Sequence, residues 1–120
     1  MGLFDFGKPK KPKVVATVTE VRTDKSYKMY VYDASPLKGM RAGSLFEAEY
    51  VARKTKLKSA TGKAQTFPGA FFVGKVAIGG TFSDWLNDQL AQRGKRVPVV
   101  CRFEGLAPEG WADVRFYLPE

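Results

Sequence analysis

At 120 residues the chain has the length of one ordinary domain, and its 44% hydrophobic and 27% charged content exclude global disorder. One cysteine and no histidine exclude an internal disulfide, a Cys–His dyad and a Cys/His zinc site. The formal net charge of +8 sits wholly in the first half: residues 1–65 hold 14 Lys/Arg against 6 Asp/Glu, and residues 66–120 hold 6 of each. Such asymmetry suits an anionic partner, although solubility charge on a solvated surface is at least as common.

Residues 1–13 read as a flexible basic Lys/Pro tail, and 14–120 as a single domain. Lys8-Pro9-Lys10-Lys11-Pro12-Lys13 alternates charge with proline, which resists helix and ladder pairing alike. An aromatic hook, Leu3, Phe4 and Phe6, precedes it. The opening residues are too short for a signal peptide, and their lysines follow the apolar patch. Phe6 stands where a myristoylation signal expects Ser or Thr. No apolar run approaches the ~18 residues of a membrane-spanning helix. With one free cysteine, the expected location is the cytoplasm.

Alternation of apolar and polar residues predicts strands over Val14–Val21, Tyr27–Asp33, Leu45–Arg53, Ala70–Val73, Lys75–Ile78, Val97–Phe103 and Asp113–Leu118. In the second, Met29 and Val31 share one face and Lys28, Tyr30 and Tyr32 the other. In the third, Phe46, Ala48, Tyr50 and Ala52 align opposite Glu47 and Glu49. Gly74 marks a tight hairpin. One helix is expected over Phe82–Arg93: Thr81 and Asp84 have capping-box spacing, Phe82, Leu86 and Leu90 form an apolar stripe, and Gly94 suits the stop. Loops are expected at Thr23–Ser26, Ala34–Gly43, Ser59–Gly69 and Leu106–Gly110. Short alternating strands with one helix make the fold class mostly β: a small OB-like or SH3-like antiparallel barrel with one capping helix.

The case for catalysis is poor, and the chain reads as a non-enzyme without cofactor or metal. Glu47 and Glu49 project from one strand face about 7 Å apart, a separation a glycosidase pair can have, but alternating acids usually mark a solvated face. Cys101 lies on an apolar strand face and reads as a small buried hydrophobe. Gly74-Lys75-Val76-Ala77-Ile78-Gly79-Gly80-Thr81 lacks both the P-loop core and the dinucleotide spacing, so a hairpin turn and a helix start are the better reading. Free N–H groups around Gly79–Thr81 leave a secondary anion site open.

Binding features are stronger. Arg53-Lys54-Thr55-Lys56-Leu57-Lys58-Ser59-Ala60-Thr61-Gly62-Lys63 carries five charges and no acid, and resembles the tip of a long hairpin. Lys54, Lys56 and Lys58 share parity, so an extended chain points them to one side, where they suit a phosphate backbone. A solvated loop explains them equally well. On the face of Lys28, Tyr30 and Tyr32, two aromatics beside a lysine make a stacking platform, each base stack being worth ~1–3 kcal/mol. The alternative packs the tyrosines under the helix or a loop, and it is favoured for at least one of them.

Ala70-Phe71-Phe72-Val73-Gly74-Lys75-Val76-Ala77-Ile78-Gly79, then Thr81–Gly94, then Val97–Phe103, resembles the closing half of HIRAN domains over residues 67–118. Small bacterial proteins with a Met-Gly-Leu-Phe-Asp-Phe-like start and a Lys/Pro tract look similar too. The resemblance implies an OB-like β structure, of a kind found alone in bacteria or attached to DNA translocases, that binds single-stranded DNA ends. The family's acidic-Pro…Asn…Asp segment is absent, Lys63-Ala64-Gln65-Thr66-Phe67-Pro68-Gly69 standing instead, so no ligand-contacting residue is carried over. The expected function is a basic module for single-stranded DNA or RNA, with Tyr30 and Tyr32 stacking bases and Lys28, Arg53, Lys54, Lys56 and Lys58 holding phosphates. The alternative is an adaptor that docks a protein partner or an anionic membrane surface through Leu3–Lys13. Exposed strand edges leave a homodimer open.

Overall fold

Inward positions on four of the expected strands are filled by large apolar side chains, and these meet in one core: Met29, Val31, Phe46, Tyr50, Val99, Phe103, Val114 and Phe116 are all buried. The computed structural model describes residues 25–59, 61–106 and 111–119. The tail 1–13 and the strand expected over Val14–Val21 lie outside the described residues.

Six strands close a barrel, each pair antiparallel: β1 (Tyr27–Val31), β2 (Ser44–Val51), β5 (Ala70–Val73), β6 (Val76–Gly80), β7 (Arg96–Leu106) and β8 (Ala112–Phe116), in the order β1-β6-β5-β2-β7-β8. The longest ladder joins β2 to β7, from Ser44↔Phe103 to Val51↔Arg96. Gly74 turns β5 into β6 with φ +63 and no second positive φ beside it, the φ pattern of a type II′ turn, which matches strand twist. A 3-10 turn, Ser35–Leu37, lies on the crossing from β1 to β2 and drops Leu37 into the core.

Strands β2, β5, β6, β7 and β8 wind as an OB barrel does: a three-stranded meander, a helix, then a hairpin that returns beside the first strand. β1 is the departure. It pairs with β6 on one side and β8 on the other, antiparallel to both. β6 and β8 therefore run parallel to each other, and β1 fills the gap between them. Every strand of this barrel is paired on both edges.

Helix α1 spans Asp84–Gln92 and buries Leu86 and Leu90 against the barrel core. It begins two residues later than its spacing suggests. Ser83, not Thr81, is the cap: its Oγ accepts from the Leu86 N–H at 3.2 Å, while Thr81 Oγ1 accepts from the Ser83 N–H at 3.2 Å. Phe82 is thereby excluded from the helical stripe and stands 51% exposed on the outer surface. At the other end Gly94 has φ +139, where the helix stops, and Arg93 Nη1 donates to the Gln89 carbonyl.

The segment expected as a loop over Ser59–Gly69 contains a strand. β3 (Thr55–Lys58) and β4 (Ala64–Phe67) pair as a two-stranded ribbon that prolongs the β2–β5 hairpin. One face is polar, with Lys56 and Lys58 exposed; from the other, Leu57 and Phe67 are buried. They form a second small core with Ala70, against which Tyr32, Phe72 and Ala77 pack. The ribbon thus lies over the outer surface of β1, β5 and β6. The approach is close: a side chain on Gly80 would come 2.7 Å from the Phe67 ring.

Candidate nucleic-acid interface

Strand parity sends Lys28, Tyr30 and Tyr32 outward from β1, and the closed barrel puts other elements on both sides of them. The ribbon borders them on one side. On the other is β8, where Tyr30 pairs with Asp113 and Lys28 with Arg115. Between these elements runs a cleft of about 480 Å³ lined by Lys28, Tyr30, Tyr32, Ser59, Lys63, Trp111 and Asp113, together with parts of Met29, Val31 and Ala112. Tyr30 is 40% exposed and Trp111 47%.

Ring contacts hold the platform in place. Tyr30 meets Phe82 edge-on with centroids 4.7 Å apart, Phe82 lies 4.9 Å from Phe67, and Phe67 meets Tyr32 edge-on at 5.7 Å. Edge-to-face pairs at these separations contribute about 0.5–1.5 kcal/mol each beyond area burial. The chain of rings anchors Tyr30 through the buried Phe67, while 40% of Tyr30 remains exposed. The Lys28 ammonium lies 5.1 Å from the Tyr30 ring centroid, within cation–π range. Tyr32 is the tyrosine packed under the ribbon, half-buried, with Tyr30 the open one.

A second cleft of about 850 Å³ shares Tyr32 and Ser59 with the first and continues past Lys38, Lys58 and Leu106. The structure therefore brings Lys28, Tyr30 and Tyr32 together and sets Lys58 in the adjoining cleft. The lining of these two clefts includes neither Arg53, Lys54 nor Lys56, although all three are exposed on or before β3. Trp111, Lys63 and Asp113 also line the cleft, beyond the residues the sequence pattern singles out. Lys63 carried a signal, as the last charge of the basic run. Trp111 carried none, because its closeness to Tyr30 depends on β8 pairing with β1 across the whole chain.

The other candidates have structural roles. Gly79 and Gly80 are buried in the ladder beside β1, and a side chain on Gly79 would meet the Tyr30 backbone carbonyl, so these glycines serve close strand approach. Glu49 pairs with Arg96 at 2.9 Å across β2 and β7. Cys101 is fully buried, and burial pushes its thiol pKa up, so it stays neutral. Among the described residues no three His, Cys, Asp or Glu side chains gather as a metal site, and no helix is long and apolar enough to cross a membrane. The aromatic and lysine residues of Leu3–Lys13 lie outside the described residues. Compared with known proteins, the chain matches no family model, no curated sequence and no solved structure.

Proposed function

We propose that this chain is a binding module for single-stranded nucleic acid, cytoplasmic and without catalysis of its own, and that the β1 cleft is its site. The observation that carries the reading is the convergence of Tyr30, Tyr32 and Trp111 with Lys28 and Lys63 in one cleft, between the ribbon and the start of β8. In an OB barrel, oligonucleotides bind over the face of strands two and three, flanked by the loop joining strands one and two and the loop joining strands four and five. Strands two and three are β5 and β6 here, and the β1 cleft lies beside that face on the strand paired with β6. By the connectivity found here, those loops correspond to the β3–β4 ribbon and the β7–β8 connection. Bases stack on Tyr30 and Trp111, while Lys28, Lys63 and Lys58 meet phosphates as the strand passes into the adjoining cleft. The resemblance to HIRAN domains supports the same ligand class.

The test is fluorescence anisotropy of a labelled single strand of roughly 12 nucleotides, within the site sizes of OB modules, over a salt series. Tyr30→Ala and Trp111→Ala each weaken binding about 5- to 150-fold, the equivalent of one lost stack. Lys28→Ala and Lys63→Ala lower the salt slope by about one each. Unchanged affinity in both aromatic variants overturns this reading of the cleft.

A further inference from the structure

The cleft contains one group that a phosphate-binding reading does not use. Asp113 sits opposite Tyr30 in the β1–β8 register, so both side chains leave the same outer face of the barrel, with Cβ atoms about 4.5–5.5 Å apart as in any directly opposed antiparallel pair. Asp113 is exposed, lines the cleft beside Trp111, and has no hydrogen bond or ion pair to any described residue. A carboxylate repels phosphate. It is acceptor-only, with two oxygens side by side, so its ligand must present donors.

We infer that Asp113 reads the Watson–Crick edge of a stacked base and makes the site prefer guanine. The inference rests on the nucleic-acid reading of the cleft. A base lying flat on Tyr30 or Trp111 turns its edge toward the neighbouring strand, where Asp113 stands. Guanine alone of the four bases offers two adjacent donors on that edge, N1–H and the N2 amino group, which match the two carboxylate oxygens. Adenine and cytosine offer one amino donor beside an acceptor that a carboxylate repels. Thymine and uracil offer one N–H between two carbonyls. Unpaired bases are commonly recognised on this edge once they are splayed out onto aromatic side chains. The carboxylate has no protein partner to give up, only water, and Lys28 and Lys63 on the cleft walls offset its charge.

The experiment uses the full chain and thymidine oligonucleotides of roughly 12 residues with one central position varied among dT, dA, dC, dG and deoxyinosine, which keeps N1–H and lacks the amino group. A bidentate contact discriminates by about 1–3 kcal/mol, so the dG strand binds roughly 5- to 150-fold tighter than the dT strand, with deoxyinosine between them. Asp113→Asn, which exchanges one acceptor for a donor, brings the dG strand to within about threefold of dT and leaves dT binding equal or tighter, because a negative charge has left the cleft. Equal affinity for all five strands overturns the guanine inference while leaving the nucleic-acid reading in place. A dG preference that persists in Asp113→Asn also overturns it. If no strand binds at low salt, both readings fall together.

Discussion

The Tyr50 side chain lies at 1% exposure in the core, and its hydroxyl donates to Asn87 Oδ1 at 2.7 Å. The Asn87 amide in turn donates to the carbonyls of Thr81 and Ser83, both at 3.0 Å. One buried polar chain thus joins β2 to the start of α1 and satisfies two carbonyls there. Tyr50→Phe strands the Asn87 oxygen and costs about 1–3 kcal/mol in urea unfolding at neutral pH. Burial pushes the Tyr50 pKa up to about 12, against about 10 in an unfolded chain. The unfolded chain therefore releases this proton first as pH rises. The stability associated with the neutral phenol is complete below pH 10 and is lost between 10 and 12, by about 2–3 kcal/mol. Cys101, also pushed up by burial, acts with the same sign. Unfolding midpoints measured from pH 8 to 12 fall less steeply in Tyr50→Phe than in the parent chain; parallel curves would remove Tyr50 as a source of the alkaline loss.

At the scale of elements, the strands with one face on the barrel core were legible, because period-two alternation follows directly from which side is buried. Phe46, Ala48 and Tyr50, or Val97, Val99, Cys101 and Phe103, are buried as their spacing implies. The ribbon was harder to read. Thr55–Lys58 and Ala64–Phe67 each contribute a single buried side chain to a core of only three residues, so their alternation is nearly silent. The helix start is ambiguous from sequence because two hydroxyl residues, Thr81 and Ser83, both satisfy cap chemistry locally. The choice falls to Ser83 since Phe82 packs outward on Tyr30 and Phe67. Ser83→Ala accordingly costs about 1 kcal/mol of stability, and Thr81→Ala less, by urea denaturation. Gly80→Ala forces the Phe67 ring to move and costs about 1–3 kcal/mol, with loss of the Phe67 ring-current shifts in the NMR spectrum as its signature.

For the whole molecule, what sequence could not convey is adjacency across the chain. Tyr30 and Tyr32 were visible as an outward pair, but their cleft is completed by Lys63 on the ribbon and by Trp111 and Asp113 at β8. Those neighbours follow only from barrel closure. A ligand that spans the cleft binds the closed barrel and not an opened one, so it stabilises closure by mass action, about 2.7 kcal/mol at a hundredfold excess over Kd. Amide hydrogen exchange then slows at Met29 and Tyr30 and at their β8 partners Val114 and Asp113 when a single strand is added, and by much less in β2 and β7. Uniform slowing, or none, would separate the cleft from β1.

The position of β1 between β6 and β8 has one more consequence. The other five barrel strands form a frame that already has the winding of an OB barrel, and β1 is the stave that completes it. The frame and its ribbon carry Lys63, Trp111 and Asp113; the stave carries Lys28 and Tyr30, with Tyr32 just beyond its end. Each half of the cleft is incomplete alone. The barrel closes and the cleft is completed together when β1 is seated, so a ligand of the proposed kind, by occupying the cleft, would report that this stave is in place.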